Sequence, residues 1–230
     1  TAVATVIVEA AEIVANDDEY VAFDSKIGGT TASVLDNDTL NGQSFNPSEI
    51  TLTPGTSPNA GITMNDDGTI SIVPGTPAGT YQYPYTICEV LNPTNCDTAV
   101  ATVVIDAAPA DVTIECSDAL PIEQPVFSAS SCDPIQVTMT EERVEGSCVN
   151  NYTIIRTWVG IDSCGNERVL TQTITVEDTT APEFVEAIPT DVTVECNAIP
   201  SAVVLTATDN CGEAEVTFTE LREEGSCANN

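Results

Sequence analysis

Apolar and polar residues alternate with period two through most of the chain, in short runs broken by Gly, Pro, Asn and Asp. That is the pattern of strands with one buried face. Ile62-Thr63-Met64 and Thr69–Val73 flank Asn65-Asp66-Asp67-Gly68, which predicts a hairpin. Asn41-Gly42 marks another turn. Tyr81, Tyr83, Tyr85 and Ile87 alternate along one strand, and Pro84 on its other face predicts an edge position. Further strands are predicted at about Val112–Cys116, Val126–Ala129, Ile135–Val144, Tyr152–Ile161 and Val169–Val176. Trp158, in the longest of these, shares a face with Arg156 and Gly160 and reads as core.

Repetition organises these strands. The segment TAVATV occurs at Thr1–Val6 and again at Thr98–Val103, where it closes a domain. Residues 1–12 therefore read as the last strand of a preceding repeat plus a linker, the chain being an excerpt of a longer exported protein. A first complete sandwich spans 13–106, a four-cysteine sandwich 107–182, and a truncated second copy of it 183–230. Asp191–Cys196 repeats Asp111–Cys116, Glu224–Cys227 repeats Glu145–Cys148, and Cys211 matches Cys132. The repeat length is about 80 residues. The expected fold is all-β, tandem Ig-like sandwiches in an elongated rod.

Cys116, Cys132, Cys148 and Cys164 follow one another at intervals of sixteen residues. One interval is about a strand plus a turn, so successive cysteines fall at alternate ends of a sandwich. A disulfide needs Cα atoms within about 7 Å. This predicts Cys116–Cys148 and Cys132–Cys164, and by repetition Cys196–Cys227, with the partner of Cys211 beyond the end of the chain. Cys88 and Cys96 bracket a hairpin tip and form a local pair.

Composition narrows the function classes. Thirty-six acidic residues face five basic ones, for a net charge of −31, and histidine is absent. Such a surface repels nucleic acid and anionic membranes, and no stretch is apolar enough to insert in a membrane. Without histidine there is no Ser-His or Cys-His nucleophile pair. Paired carboxylates arise here by number alone, so no enzymatic role is expected. Nine cysteines indicate an oxidising, extracellular setting.

Three groups of motifs carry a family resemblance. Val14–Tyr20, Ser33–Asp38 and the strand Thr98–Ile105 resemble bacterial cadherin-like, Ig-like repeats. Asp178–Pro182, Ala207–Gly212 and Asp162–Asn166 resemble hyalin-type (HYR-like) repeats. Together they look like the repeat region of SprB-type cell-surface adhesins of gliding bacteria. The resemblance implies type IX secretion, cell-surface display, and neighbouring repeats, the gliding motor or outer-membrane machinery and surface polysaccharide as partners. The implied function is a disulfide-stiffened stalk in attachment and gliding motility. The alternatives are a glycan- or substratum-binding module, or an accessory region of a secreted hydrolase. Ser130-Ser131-Cys132-Asp133 departs from the Asp-Asn-Cys-Gly pattern of the other copy.

No cofactor is required, but calcium is a candidate. It takes six to eight hard oxygen ligands. Asp17 and Asp18 open the first sandwich, Asp36 and Asp38 lie in an early loop, and a cadherin-like arrangement brings the two pairs together. Asp178 and Asp209 are a second candidate set at the following linker. Asp and Asn also favour turns for reasons unrelated to metal. The tyrosine stripe reads as core before it reads as a sugar-stacking strip. Asp-Thr pairs place candidate O-glycosylation at Thr39, Thr98 and Thr179. Lys26, the single lysine, is expected at an exposed turn.

Overall fold

The computed structural model describes residues 11–147, 150–195, 197–221 and 223. Short strands open the chain: β1 (Ile13–Val14), β2 (Asp18–Glu19), β3 (Phe23–Asp24), β4 (Gly29–Thr30) and β5 (Thr39–Leu40). One 3-10 turn, Pro47–Glu49, leads into β6 (Ile50–Pro54), the hairpin β7 (Ile62–Met64) and β8 (Ile70–Ile72), then β9 (Gly79–Glu89) and β10 (Cys96–Asp106). There follow β11 (Val112–Glu115), β12 (Gln136–Glu145), β13 (Tyr152–Ile161), β14 (Glu167–Glu177), β15 (Glu183–Phe184) and β16 (Ala207–Thr208). The chain is all-β, with Ig-like sandwich architecture.

The chain divides into two compact units. One holds the residues up to 110 with 122–141 and 156–172; the other holds 111–121, 142–155 and the residues from 173 onwards. In the first unit, one sheet runs β2-β10-β9-β6 with β3 also on β10, and a second runs β4-β8-β7. Their inward residues meet in a single core that includes Val34, Ile62, Ile70, Tyr83, Tyr85, Ile87, Ala101, Val103 and Ile105. The period-two pattern explains this directly, since every second residue of β9 and β10 faces the other sheet. Asn41 and Gly42 both adopt positive φ, 56° and 69°, as their turn requires.

Two expectations are corrected here. The strand carrying Pro84 is not an edge: β9 lies between β10 and β6. Proline is tolerated because β6 ends opposite it. The last β6 pair is Pro54↔Tyr85, and Gly55 N donates to the Pro84 carbonyl at 2.8 Å. The missing Pro84 N–H thus falls where the neighbouring strand runs out. Val126–Ala129 forms no strand either, only a bridge from Val126 to Ala107. Its polar groups turn instead to the end of β10. Ser128 N donates to Asp106 Oδ1 at 2.7 Å and Ser128 Oγ to the Ile105 carbonyl at 2.6 Å.

A sheet of order β11-β14-β13-β12 follows. Trp158 is 2% exposed, on the same face of β13 as buried Ile154 and Arg156. Gly160 continues that face because a side chain there would collide with Phe127 and Ile135, 2.8 and 2.9 Å from a Cβ. In the second unit Ile154, Ile174 and Val176 pack with Val112, Ile114, Cys116 and Tyr152.

One feature recurs. β2 and β3 pair parallel with β10, through Ala101↔Asp18, Thr102↔Glu19, Ile105↔Phe23 and Asp106↔Asp24. β11 pairs parallel with β14 from Val112↔Ile174 to Glu115↔Glu177. In both cases the entering strand lies alongside the leaving strand and points the same way.

Cys88 is bonded to Cys96 and Cys132 to Cys164, with Cα separations of 4.1 and 5.4 Å. Cys116 is bonded to Cys211, at a Cα separation of 5.7 Å. This replaces the expected Cys116–Cys148 pair, and gives Cys211 a partner within the chain. The parallel course of β11 on β14 carries Cys116 to the linker end, where Cys116 N donates to the Glu177 carbonyl at 3.0 Å. The turn Asp209–Gly212 arrives at the same place. Cys148, Cys196 and Cys227 lie outside the described residues, as do residues 1–10. The Cys116–Cys211 bond spans 95 positions, so at about 3.4 Å per extended residue it withholds about 32 nm of chain from extension. Reduction is expected to release that length in single-molecule pulling. Non-reducing peptide mapping that joined Cys116 to Cys148 would overturn the pairing.

Candidate functional site

The loops that begin and follow the first short strands meet at the hydroxyl of Tyr85. Their meeting is set locally. Asn16 N donates to Asp38 Oδ1 at 2.7 Å, Asn16 Nδ2 to the Asn37 carbonyl at 2.8 Å, and Asn37 Nδ2 to the Asp17 carbonyl at 3.1 Å. These reciprocal Asn and Asp bonds are the ones such side chains form in turns. Their effect is to place Asp18 and Asp38 on opposite sides of one phenol.

Tyr85 is 1% exposed and Asp38 3%. Around the Tyr85 hydroxyl lie the Asn16 carbonyl at 2.9 Å, Asp18 Oδ2 at 3.1 Å, the Val34 carbonyl at 3.2 Å, and Asp38 Oδ1 and Oδ2 at 3.3 and 3.4 Å. A phenol donates one hydrogen, so acceptors outnumber donors. Burial pushes the Asp18 carboxyl up to about 7; the Tyr85 bond opposes this, while Asp38, Asp17 and Asp36 reinforce it. Burial also raises Asp38, against bonds from Asn16 and Tyr85. The Tyr85 phenol is pushed upward by burial and by the two carboxylates.

The structure thus brings Asp18 and Asp38 together. Asp17 is engaged elsewhere, its Oδ1 accepting from Val100 N at 2.8 Å, and Asp36 is exposed. Two carboxylates and two carbonyls form an oxygen-only donor set of the kind calcium accepts. Among the described residues the set reaches four such ligand groups, so solvent would complete it.

The other candidate pair lies in the second unit. Asp178 and Asp209 line one depression with Asn150, Thr180 and Gly212. Asp178 Oδ2 accepts from Asn150 Nδ2 at 3.4 Å, and Asp178 Oδ1 is buried without a hydrogen-bond partner. Glu115 accepts from the Thr179 hydroxyl and from Thr179 N. Glu115 and Asp178 approach the Cys116–Cys211 sulfurs, but sulfur in a disulfide is not a thiolate ligand.

Tyr83 and Tyr85 are buried and Tyr81 packs against the same core, so the stripe offers no exposed aromatic strip. Lys26 Nζ donates to the Thr171 carbonyl at 3.1 Å. Thr98 and Thr179 are exposed and Thr39 is half-buried.

Residues that the motif reading passed over form a third cluster, in the first unit. The Arg168 side chain is 5% exposed, with Nη1 3.0 Å from the Ser128 carbonyl and 3.4 Å from Asp106 Oδ1. Its Nη2 lies 2.7 Å from Ser130 Oγ and 3.8 Å from Asp162 Oδ2. Its parity was the available signal. Arg168 shares the inward face of β14 with Leu170, Gln172, Ile174 and Val176.

No family model matches the chain, and no curated protein matches it. Among solved structures it is similar to the human desmocollin-1 ectodomain, at 9% identity over 76% of this chain and 44% of that one, TM-score 0.32. It is similar to protocadherin gammaB7 EC3-6 at 11% identity, covering 86% and 55%, TM-score 0.30. A Bacteroides ovatus protein, SGBP-B of a mixed-linkage glucan utilization locus, solved with a mixed-linkage heptasaccharide, matches at 15% identity over 70% and 42%, TM-score 0.25. The chain spans about half the length of these structures. At such scores the fold is defined by its own strand pairing.

The Asp18 carboxyl sets a pH dependence. Its folded value, about 7, exceeds its ordinary 3.8, so the folded state holds the proton more tightly than the unfolded state. Its contribution is complete below about pH 4 and is lost as pH rises toward 7. Thermal melts should show Asp18→Asn matching wild type near pH 4 and exceeding it at pH 8. Parallel pH profiles for the two proteins would refute the buried-proton account.

Proposed function

We propose that this chain is a load-bearing stalk segment of a secreted cell-surface adhesin, of the SprB type that serves attachment and gliding. The observation that carries the reading is the parallel pairing of entering and leaving strands in the first sandwich, where no disulfide encloses either strand. Pulling the chain by its ends drives such strands past one another. The hydrogen bonds between them are then loaded together, in shear, and must break together. Antiparallel terminal strands would open one bond at a time.

Three disulfides support the same reading. They belong to oxidising, extracellular settings, and they limit how far each segment extends. The cadherin-like and hyalin-type motifs are the basis for naming the SprB type. Export by type IX secretion and coupling to the gliding motor belong to that proposal. The role is mechanical, not enzymatic.

Proline at Ser25, directly after β3, would remove from the first sandwich's parallel pair the N–H that donates to the Asp106 carbonyl at 2.7 Å. Force spectroscopy on the full chain should show the unfolding force of that sandwich falling by about half, with the contour length unchanged. An equal force in the variant would remove the shear clamp, and with it the stalk reading.

The acceptor excess around Tyr85 favours one addition: calcium at Asp18 and Asp38. A divalent cation between Asp18 and Asp38 would replace the proton and neutralise both carboxylates. Calcium should raise the melting temperature at pH 8 in wild type, less at pH 5, and not in Asp38→Asn. A melting temperature indifferent to calcium and chelator at pH 8 would eliminate it.

A further inference from the structure

Five basic side chains serve the whole chain, and one of them is buried where the first sandwich meets residues 126–131. Asp106, the last residue of β10, is 1% exposed. A carboxylate withdrawn from water needs a counter-charge or donated hydrogen bonds. Two more acids stand nearby. Asp162 is buried, and Glu19 Oε1 accepts from Ser131 N at 2.9 Å.

We propose that Arg168 closes this junction in the role that a metal ion would otherwise fill, so that the joint holds without divalent cations. The guanidinium fork joins the end of β10, the 126–131 segment and the turn between β13 and β14. One arm reaches Asp106 at the end of β10 and the Ser128 carbonyl; the other reaches Ser130 Oγ and approaches Asp162. Around it the backbone is already tied. Ala107 and Val126 exchange hydrogen bonds of 2.9 and 2.8 Å, and the Thr80 hydroxyl donates to the Ala129 carbonyl. The Cys132–Cys164 bond anchors the end of the same loop, where Ser163 N and Oγ both donate to the Cys132 carbonyl at 2.8 and 2.7 Å.

The following repeat supplies the contrast. Asp178 stands before its linker as Asp106 stands before the first, and Asp209 occupies the place of Ser130. There the described neighbours are carboxylates and amides, and Asp178 Oδ1 has no hydrogen-bond partner. Ser130-Ser131 in place of Asp-Asn therefore has a physical meaning. A serine hydroxyl accepts from the guanidinium without adding a third buried negative charge. The two copies of the cysteine repeat are thus specialised for different junctions, one sealed by arginine and one left acidic. This holds whatever load or ligand the chain carries.

Amide hydrogen exchange on the full chain tests it, read at Ala107, Val126, Ser128 and Ser131 with calcium and with chelator. Wild-type protection should be equal in both. Arg168→Met should exchange at least about tenfold faster at these four amides, with β9 and β10 unaffected. Arg168→Lys should not restore protection, because one ammonium cannot span the fork's acceptors. Asp106→Asn with Arg168→Met should exchange more slowly than Arg168→Met alone, since the buried Asp106 charge leaves together with its partner. Unchanged protection in Arg168→Met, or wild-type protection lost on chelation, overturns the proposal. If Arg168→Met also loses β9–β10 protection, Ser130→Ala decides. It removes the hydrogen bonds that the hydroxyl accepts from Arg168 Nη2 and Cys132 N and no charge, and should speed exchange at Ser128 and Ser131 about threefold; no change there is equally fatal.

Discussion

Thirty-six carboxylates with five cationic side chains to balance them impose the condition under which this protein folds. A carboxylate at the surface is stabilised by water, but one drawn inward must find donors, a proton or a cation. Each solution appears. Asp17 and Asp97 accept from the N–H groups of Val100 and Ala15, so acidic side chains substitute for strand partners along β10. Burial raises the Asp18 carboxyl toward protonation, and its Oδ2 accepts from the Tyr85 phenol. Asp106 and Asp162 share the Arg168 guanidinium. The loops of the first sandwich are tied by these polar contacts as well as by the apolar packing of Val34, Leu35 and Phe45.

The same condition shapes the mechanical reading. Shear-loaded strands resist force only if the segments joining them do not yield first. At the first junction a buried arginine and a set of serine and backbone hydrogen bonds tie residues 126–131 to the end of β10. In the second unit, Cys116–Cys211 ties the start of the cysteine repeat to the turn Asp209–Gly212. One junction relies on charge and hydrogen bonding and the other on a covalent bond. A disulfide of that span shields the intervening chain from tension entirely, whereas a buried ion pair yields reversibly.

Much of this was legible from residue order. Period-two alternation identified the hairpin at Asn65–Gly68, the long strand with Tyr83 and Tyr85, and the buried side of Trp158, because a strand's side chains alternate whatever it pairs with. The convergence of Asp18 with Asp38 was expected from the motif resemblance. Alternation says which face is buried but not what lies beside a strand. Pro84 therefore read as an edge residue, although β9 is central and β6 merely ends opposite the proline. Val126–Ala129 read as a strand, although its donors turn to Asp106 and Ile105.

The sequence by itself determined the fold class and the pairs Cys88–Cys96 and Cys132–Cys164, since these depend on local periodicity and spacing along one chain. Only the tertiary structure decided that Cys116 meets Cys211, that one hydroxyl gathers two acids and two carbonyls, and that Arg168 is buried among acids. Those outcomes depend on parallel pairing and on contacts between residues far apart in the chain, and nothing in the local spacing of residues records which distant groups the folded chain brings within bonding distance.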